Sequence, residues 1–293
     1  MSEIERVGVV GAGQMGAGIA EVCARAGCDV VVVEQGGEAA EAGRERIRVS
    51  LDRAVDRGRL TGAERSAADG RLRFVTDVGE LADRQLVVEA VIEDELVKAD
   101  LITRIDKVLA DPSAIIASNT SSIPIMKLAH GTDRPGNVIG LHFFNPVPVL
   151  PLVEVIGSLT TSPQTRERVE AFVTGTLGKQ IVRAADRAGF VVNALLVPYL
   201  LAAVRMVETG RATPADVDRG MKLGCAHPMG PLELADLIGL DTVAAIAESM
   251  YAEDREPLYS PPPLLRRMVQ AGLLGRKAGR GFHAYPEPGA GGG

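Results

Sequence analysis

The sequence predicts an α/β protein in which a mostly parallel sheet domain is followed by an all-helical C-terminal domain. Three observations carry this. As far as about residue 184, short apolar runs alternate with amphipathic stretches. The first apolar run leads into a Gly-x-Gly-x-x-Gly motif. After Arg183 the pattern turns to long apolar stretches at helical spacing.

The strand candidates are Val7 to Val10, Val30 to Val33, Leu86 to Val88, Ile115 to Ala117 and Val138 to Leu141. They are nearly continuous in Val, Ile and Leu, as strands buried on both faces should be. Between them lie helix candidates at Met15 to Ala26, Glu38 to Arg57 and Glu95 to Ala110. Such alternation implies a parallel sheet covered by helices on both sides. Phe190 to Gly210 reads as a long apolar helix, and Pro214 stands near the start of the next, where its missing N–H does little harm. Asp186-Arg187-Ala188-Gly189 reads as a hinge. The domains are therefore drawn as 1–187, 188–285 and a flexible tail, 286–293. The apolar C-terminal helices suggest a subunit interface.

The bulk composition excludes several functions. A net charge of -6 argues against nucleic acid, whose phosphates need a basic face. Aromatic residues are 3% of the chain, too few for a base-stacking platform. There is no apolar run of membrane-spanning length and no basic leader before an apolar core, so no membrane association and a cytoplasmic location are expected. Cys23, Cys28 and Cys225 have neither disulfide nor metal-ligand spacing and read as reduced structural thiols, with no metal site.

The glycine motif is Gly11-Ala12-Gly13-Gln14-Met15-Gly16. Gly11 permits the tight turn, Gly13 lets backbone approach a pyrophosphate, and Gly16 lets the helix pack closely on the strand. The helix start then offers unpaired N–H groups to phosphate. A second strand follows and ends at Glu34, the acidic position expected about 20 residues on in a Rossmann-type dinucleotide site. A carboxylate there accepts both ribose hydroxyls of NAD and repels the 2′-phosphate of NADP. Gln35-Gly36-Gly37 supplies no arginine for that phosphate.

Three further segments carry polar residues at strand ends. They are Ser118-Asn119-Thr120-Ser121-Ser122, His142-Phe143-Phe144-Asn145-Pro146 and Leu152-Val153-Glu154. Carboxyl ends of strands in an open parallel sheet are where ligands bind. Of the four histidines, His142 alone is flanked by strand and apolar residues; His130, His227 and His283 stand in polar, turn-like or loop-like settings. A histidine so placed can move a proton near neutral pH.

With these segments, Gly189-Phe190-Val191-Val192-Asn193, His227-Pro228-Met229-Gly230-Pro231 and Gly275 to Phe282, the sequence resembles the 3-hydroxyacyl-CoA dehydrogenase family. It is most similar to the single-function 3-hydroxybutyryl-CoA dehydrogenases. The resemblance implies NAD as cofactor, a short-chain acyl-CoA as substrate and a homodimer. It implies His142 as the group that accepts the hydroxyl proton, with Glu154 as its partner. It implies Ser121 and Asn193 as contacts to the substrate hydroxyl and thioester. Gln14, Met15, Glu93, Lys98, Asn145 and Arg276 fall on cofactor positions, and Ser50 and Arg57 on coenzyme A positions. Ser50 and Arg57, seven residues apart, would share one helical face. Pro151 and Ala194 stand where many relatives have lysine and arginine, which puts the fine substrate preference in question.

Three other readings compete. A 3-hydroxyacid dehydrogenase with a catalytic lysine would need that lysine on the helix beginning near Asn193, which has none through Arg211. A carrier-protein-bound hydroxyacyl thioester would present the same phosphopantetheine arm. A non-catalytic NAD sensor would have no use for Ser121, His142, Glu154 and Asn193 together.

Overall fold

The computed structural model describes residues 4–285, so the expected tail at 286–293 lies outside the described residues. The chain divides into two compact units, with the break after Arg187.

The first unit holds strands β1 (Arg6–Val10), β2 (Asp29–Val33), β3 (Leu72–Val75), β4 (Leu86–Glu89), β5 (Ile115–Ser118), β6 (Val138–Phe143), β7 (Leu152–Gly157) and β8 (Gln180–Ala185). They form one sheet in the order β3-β2-β1-β4-β5-β6-β7-β8. Neighbours are parallel except β6 and β7, which run antiparallel. Helices α1 (Gln14–Arg25), α2 (Gly37–Asp56), α3 (Gly62–Gly70), α4 (Glu95–Val108), α5 (Ile125–Ala129) and α6 (Pro163–Ala171) complete it.

Burial explains which strands the sequence reveals. β4, β5 and β6 are buried at every position, so their runs are apolar until Glu89, Ser118 and His142 near their carboxyl ends. β3 and β8 are the sheet edges and contain no fully buried stretch. An edge strand has one neighbour and one wet side, so its sequence mixes in Arg73, Gln180 and Arg183. Neither is among the strands expected above.

Local signals set the helix starts. Asp94 accepts from Leu96 N–H and Val97 N–H, both at 3.0 Å, and so caps α4. Thr61 and Glu64 form a capping box at α3. At α1 the cap is Gly13, which has no side chain, so its first turn keeps N–H groups for a ligand. Gly11 has φ +93, a conformation that favours glycine. A Cβ on Gly16 would stand 1.8 Å from the Gly11 carbonyl oxygen, which is why the helix packs so closely there. The sheet buries its main cluster, including Val7, Val9, Val30, Val32, Ile115 and Ile139, under α1 and α2.

The second unit is helical: α7 (Val192–Glu208), α8 (Pro214–Gly224), α9 (Pro231–Ile238), α10 (Leu240–Asp254) and α11 (Pro263–Gln270). Pro214 occupies the first turn of α8 behind the cap Thr213. Leu200, Leu201, Val204, Leu232, Leu240 and Leu265 form its core. Cys23 and Cys28 are buried and in no disulfide, whereas Cys225, expected to be structural, is exposed. Among the described residues no helix is long and apolar enough to cross a membrane.

Candidate active site

The sheet order changes direction at β1: β2 and β3 lie on one side, β4 onward on the other. Ligands bind outside the carboxyl ends of strands at such a point. A cleft of about 780 Å³ lies there, lined by Gly11 and Gly13 after β1, Glu34 after β2, Thr76 after β3 and Ala90 and Val91 after β4. Added Cβ atoms would meet nothing within 4 Å at Gly13, which leaves the backbone open to a close approach. The Glu34 carboxylate accepts from Ala12 N–H and Gln35 N–H and is therefore held at the cleft. An open glycine cradle at a helix start, with a fixed carboxylate beyond it, fits a dinucleotide with free ribose hydroxyls. Gly11, Gly13, Gly16 and Glu34 are the residues that would hold it. Gln14 is exposed at the start of α1, while Met15 packs partly against the core.

Along the same sheet, β6 and β7 pair antiparallel so that His142 stands directly opposite Glu154. Their side chains meet, His142 Nδ1 to Glu154 Oε2 at 2.7 Å. His142 is buried and Glu154 is inaccessible to solvent. Phe144 closes on the imidazole with ring centroids 4.6 Å apart. A carboxylate with no access to water needs a donor, and the ring N–H supplies one. The contact fixes the tautomer: with Nδ1 donating to Glu154, Nε2 of the neutral ring is the acceptor.

The next strand, β5, delivers the serine-rich turn. Asn119 Oδ1 accepts from Phe143 N–H at 2.9 Å, tying that turn to the end of β6. Glu93 gathers the turn from the other side. Its Oε1 accepts from Thr120 Oγ1 at 2.6 Å, Ser121 N–H at 2.9 Å, Ser122 N–H at 3.1 Å and Ser122 Oγ at 3.0 Å. Burial opposes the charge on Glu93, but the nearby Lys98 and these donors outweigh it and hold the carboxyl below its ordinary range. Lys98 is itself buried, bonded to Glu89 Oε1 at 2.6 Å and 3.4 Å from Glu93 Oε2.

A second hollow of about 660 Å³ is bordered by Gln14, Ser50, Arg46, Arg53 and Asn145. Arg57, expected to share a helical face with Ser50, stands at the very end of that helix, its N–H still bonded to the Arg53 carbonyl at 3.2 Å. α2 ends at Asp56, and Arg57 is its C-cap at φ −89, ψ 6. The arginines beside Ser50 at the hollow are Arg46 and Arg53, at helical spacing from it. Ser50 also donates toward Glu21, whose carboxyl burial pushes up, a rise that Ser50 and Arg25 only partly offset.

The first unit thus brings Ser121, Glu93, His142 and Glu154 to neighbouring strands, with Lys98 reaching in from α4 and Glu34 across the glycine turn. Asn193, buried in α7, and Arg276, stacked 5.2 Å over the Tyr285 ring, belong to the second unit. Sequence reasoning missed Glu89, Arg46 and Arg53. The signal for Glu89 was available: a carboxylate closing an apolar run, nine residues before Lys98.

Comparison with known proteins agrees with this geometry. The sequence profile of the 3-hydroxyacyl-CoA dehydrogenase NAD binding domain matches residues 6–187, and that of the C-terminal domain of the same family matches 189–285. A 3-hydroxybutyryl-CoA dehydrogenase of Mycobacterium tuberculosis is 60% identical over 282 residues, 96% of this chain and 99% of the relative. The crystal structure of M. tuberculosis FadB2 superposes with a TM-score of 0.96 at 59% identity, covering 97% of this chain and 100% of that one. That of (S)-3-hydroxybutyryl-CoA dehydrogenase PaaH1 from Ralstonia eutropha gives 0.92 at 45% identity, with coverage of 97% and 100%. The chain therefore belongs to the 3-hydroxyacyl-CoA dehydrogenase family, as an NAD-dependent enzyme.

Proposed function

We propose that the protein interconverts 3-hydroxybutyryl-CoA and acetoacetyl-CoA, with His142 and Glu154 as its acid–base pair. The observation that carries the mechanism is the buried contact of 2.7 Å between His142 Nδ1 and Glu154 Oε2. In oxidation, neutral His142 takes the hydroxyl proton on Nε2. Glu154 accepts the Nδ1 proton in a hydrogen bond and stabilises the imidazolium that results. In reduction the imidazolium returns that proton to the keto oxygen. Bound NAD(H) supplies the hydride exchange at C3. Ser121 and Asn193 orient the substrate oxygen and thioester in this reading, and Asn145 and Arg276 are cofactor contacts.

The carbon count rests on the relatives named for 3-hydroxybutyryl-CoA and on the compact apolar run Pro146-Val147-Pro148-Val149-Leu150-Pro151 after Asn145. The coenzyme A phosphates fall to Arg46 and Arg53 beside Ser50, with Arg57 at the end of the same helix. The helical unit pairs with a second copy; exposed Leu195 and Leu223, each 75% accessible, support that. The decisive experiment is NADH oxidation with acetoacetyl-CoA and its homologues from C4 to C16. Turnover should be best at C4, and a maximum at C10 or beyond would overturn the short-chain reading.

A further inference from the structure

We propose that Glu89 is a positioning residue: held in the middle of the sheet, it keeps Lys98 off Glu93 and thereby shapes the turn that presents Ser121. The inference rests on the reading of Glu93 and Ser121 as parts of the site.

Glu89 is the last residue of β4, paired in register with Val10 on one side and Ser118 on the other. Its side chain is inaccessible to solvent. A carboxylate in that place survives only with donors around it. It has three: Ser118 Oγ at 2.6 Å, Val91 N–H at 2.7 Å and Lys98 Nζ at 2.6 Å. Lys98 is 1% exposed, so its ammonium depends on the carboxylates and on the Val91 carbonyl, 3.3 Å away, rather than on water. It makes its short contact with Glu89 and stands 3.4 Å from Glu93.

That inequality is what the turn requires. Glu93 Oε1 accepts from the hydroxyls or amides of Thr120, Ser121 and Ser122. A lysine without Glu89 would close on Glu93, the carboxylate next to it, and draw it from those donors. A second route runs through Ser118, whose hydroxyl donates to Glu89 and accepts from Thr120 N–H at 3.2 Å. Glu89 thus governs both ends of the turn while being itself out of reach of any ligand. Breaking a buried ion pair from one side leaves its partner to find another; without Glu89, the other carboxylate beside Lys98 is Glu93.

The test is Glu89→Gln beside Glu89→Asp. Both are read in NADH affinity by fluorescence titration and in KM for acetoacetyl-CoA, with thermal unfolding alongside. Glu89→Gln should weaken NADH by about tenfold, the scale of coupling within one ion-pair network. Glu89→Asp keeps a charge for Lys98 and should lie nearer wild type. Wild-type affinity and KM with a lower Tm in Glu89→Gln would overturn the proposal and make Glu89 a support of the fold alone. Equal losses of affinity in the two variants would overturn it too, because the charge facing Lys98 would then not matter. Should the single variants fail to fold, Ser118→Ala keeps both charges and cuts the second route. It should weaken NADH a few-fold, and an unchanged affinity would overturn the proposal. Wild-type protein that neither binds NADH nor reduces acetoacetyl-CoA is a separate failure, that of the functional reading.

Discussion

Glu89 and Glu154 are both glutamates inside one sheet, both closed to solvent, yet they face opposite kinds of cation. Glu89 meets an ammonium at 2.6 Å, and Glu154 meets an imidazole at 2.7 Å. A lysine ammonium held between two carboxylates is a fixed ion pair. An imidazole changes charge near neutrality, so its pair can change state during a reaction. In the proposed mechanism the same buried carboxylate is a strut in one place and half of a proton-transfer device in the other. The partner, more than the burial, makes the difference.

The largest expected effect tests the changeable pair. His142→Gln should lower kcat by roughly 10²–10⁴-fold, the usual worth of a positioned acid–base group, while NADH still binds. A loss of NADH binding along with kcat would mean that His142 supports the site instead of moving a proton. Glu154→Gln keeps the shape without the charge and should cost about 10²-fold in kcat. Since the two act as one unit, the double variant should be little worse than His142→Gln alone. Fully additive losses would separate Glu154 from the histidine and erase the contrast with Glu89.

A third carboxylate extends the comparison. Glu34 is half-exposed and bound to backbone N–H groups rather than to a cation, so its charge is left to face the ligand. Like-charge contact costs several kcal/mol, so kcat/KM should favour NADH over NADPH by about 10²-fold or more. Glu34→Ala should erase most of that ratio, and equal values in the wild-type enzyme would remove the role.

Smaller effects belong to the exposed charges. Arg53→Ala should raise KM for acetoacetyl-CoA about tenfold, a charge-assisted phosphate contact at its weaker end. A truncated pantetheine thioester should be unaffected. Arg57→Ala should do less, because Arg57 lies past the end of α2. The reverse order would restore the pairing that the sequence suggested.

The smallest expected effect concerns Glu93. Lys98 and the turn's donors hold its carboxyl below the ordinary glutamate range against the burial that opposes them. A depressed carboxyl stabilises the folded state above its unfolded value, and that contribution fades as pH falls through the lowered one. The Tm gap between wild type and Glu93→Gln should therefore be widest near neutrality and shrink in acid. A gap constant with pH would make Glu93 a simple hydrogen-bond acceptor.

The sequence by itself determined the central strands, because residues buried on both faces must be apolar and so announce themselves. It determined the glycine turn and Glu34, since both belong to one short stretch whose spacing states its chemistry. It singled out His142 by its apolar flanks. Edge strands β3 and β8 were not legible, because one wet side dilutes their pattern. Only the tertiary structure decided that β6 and β7 run antiparallel, and that register alone sets His142 against Glu154 across 12 positions. It decided that Lys98 turns inward to Glu89, a contact between a strand end and a helix that no local pattern encodes. It also placed Arg57 at the C-cap of α2 and set Arg46 and Arg53 beside Ser50 at the hollow. Local physics reads along the chain; partners for buried charges are chosen by packing between elements, which the order of residues does not display.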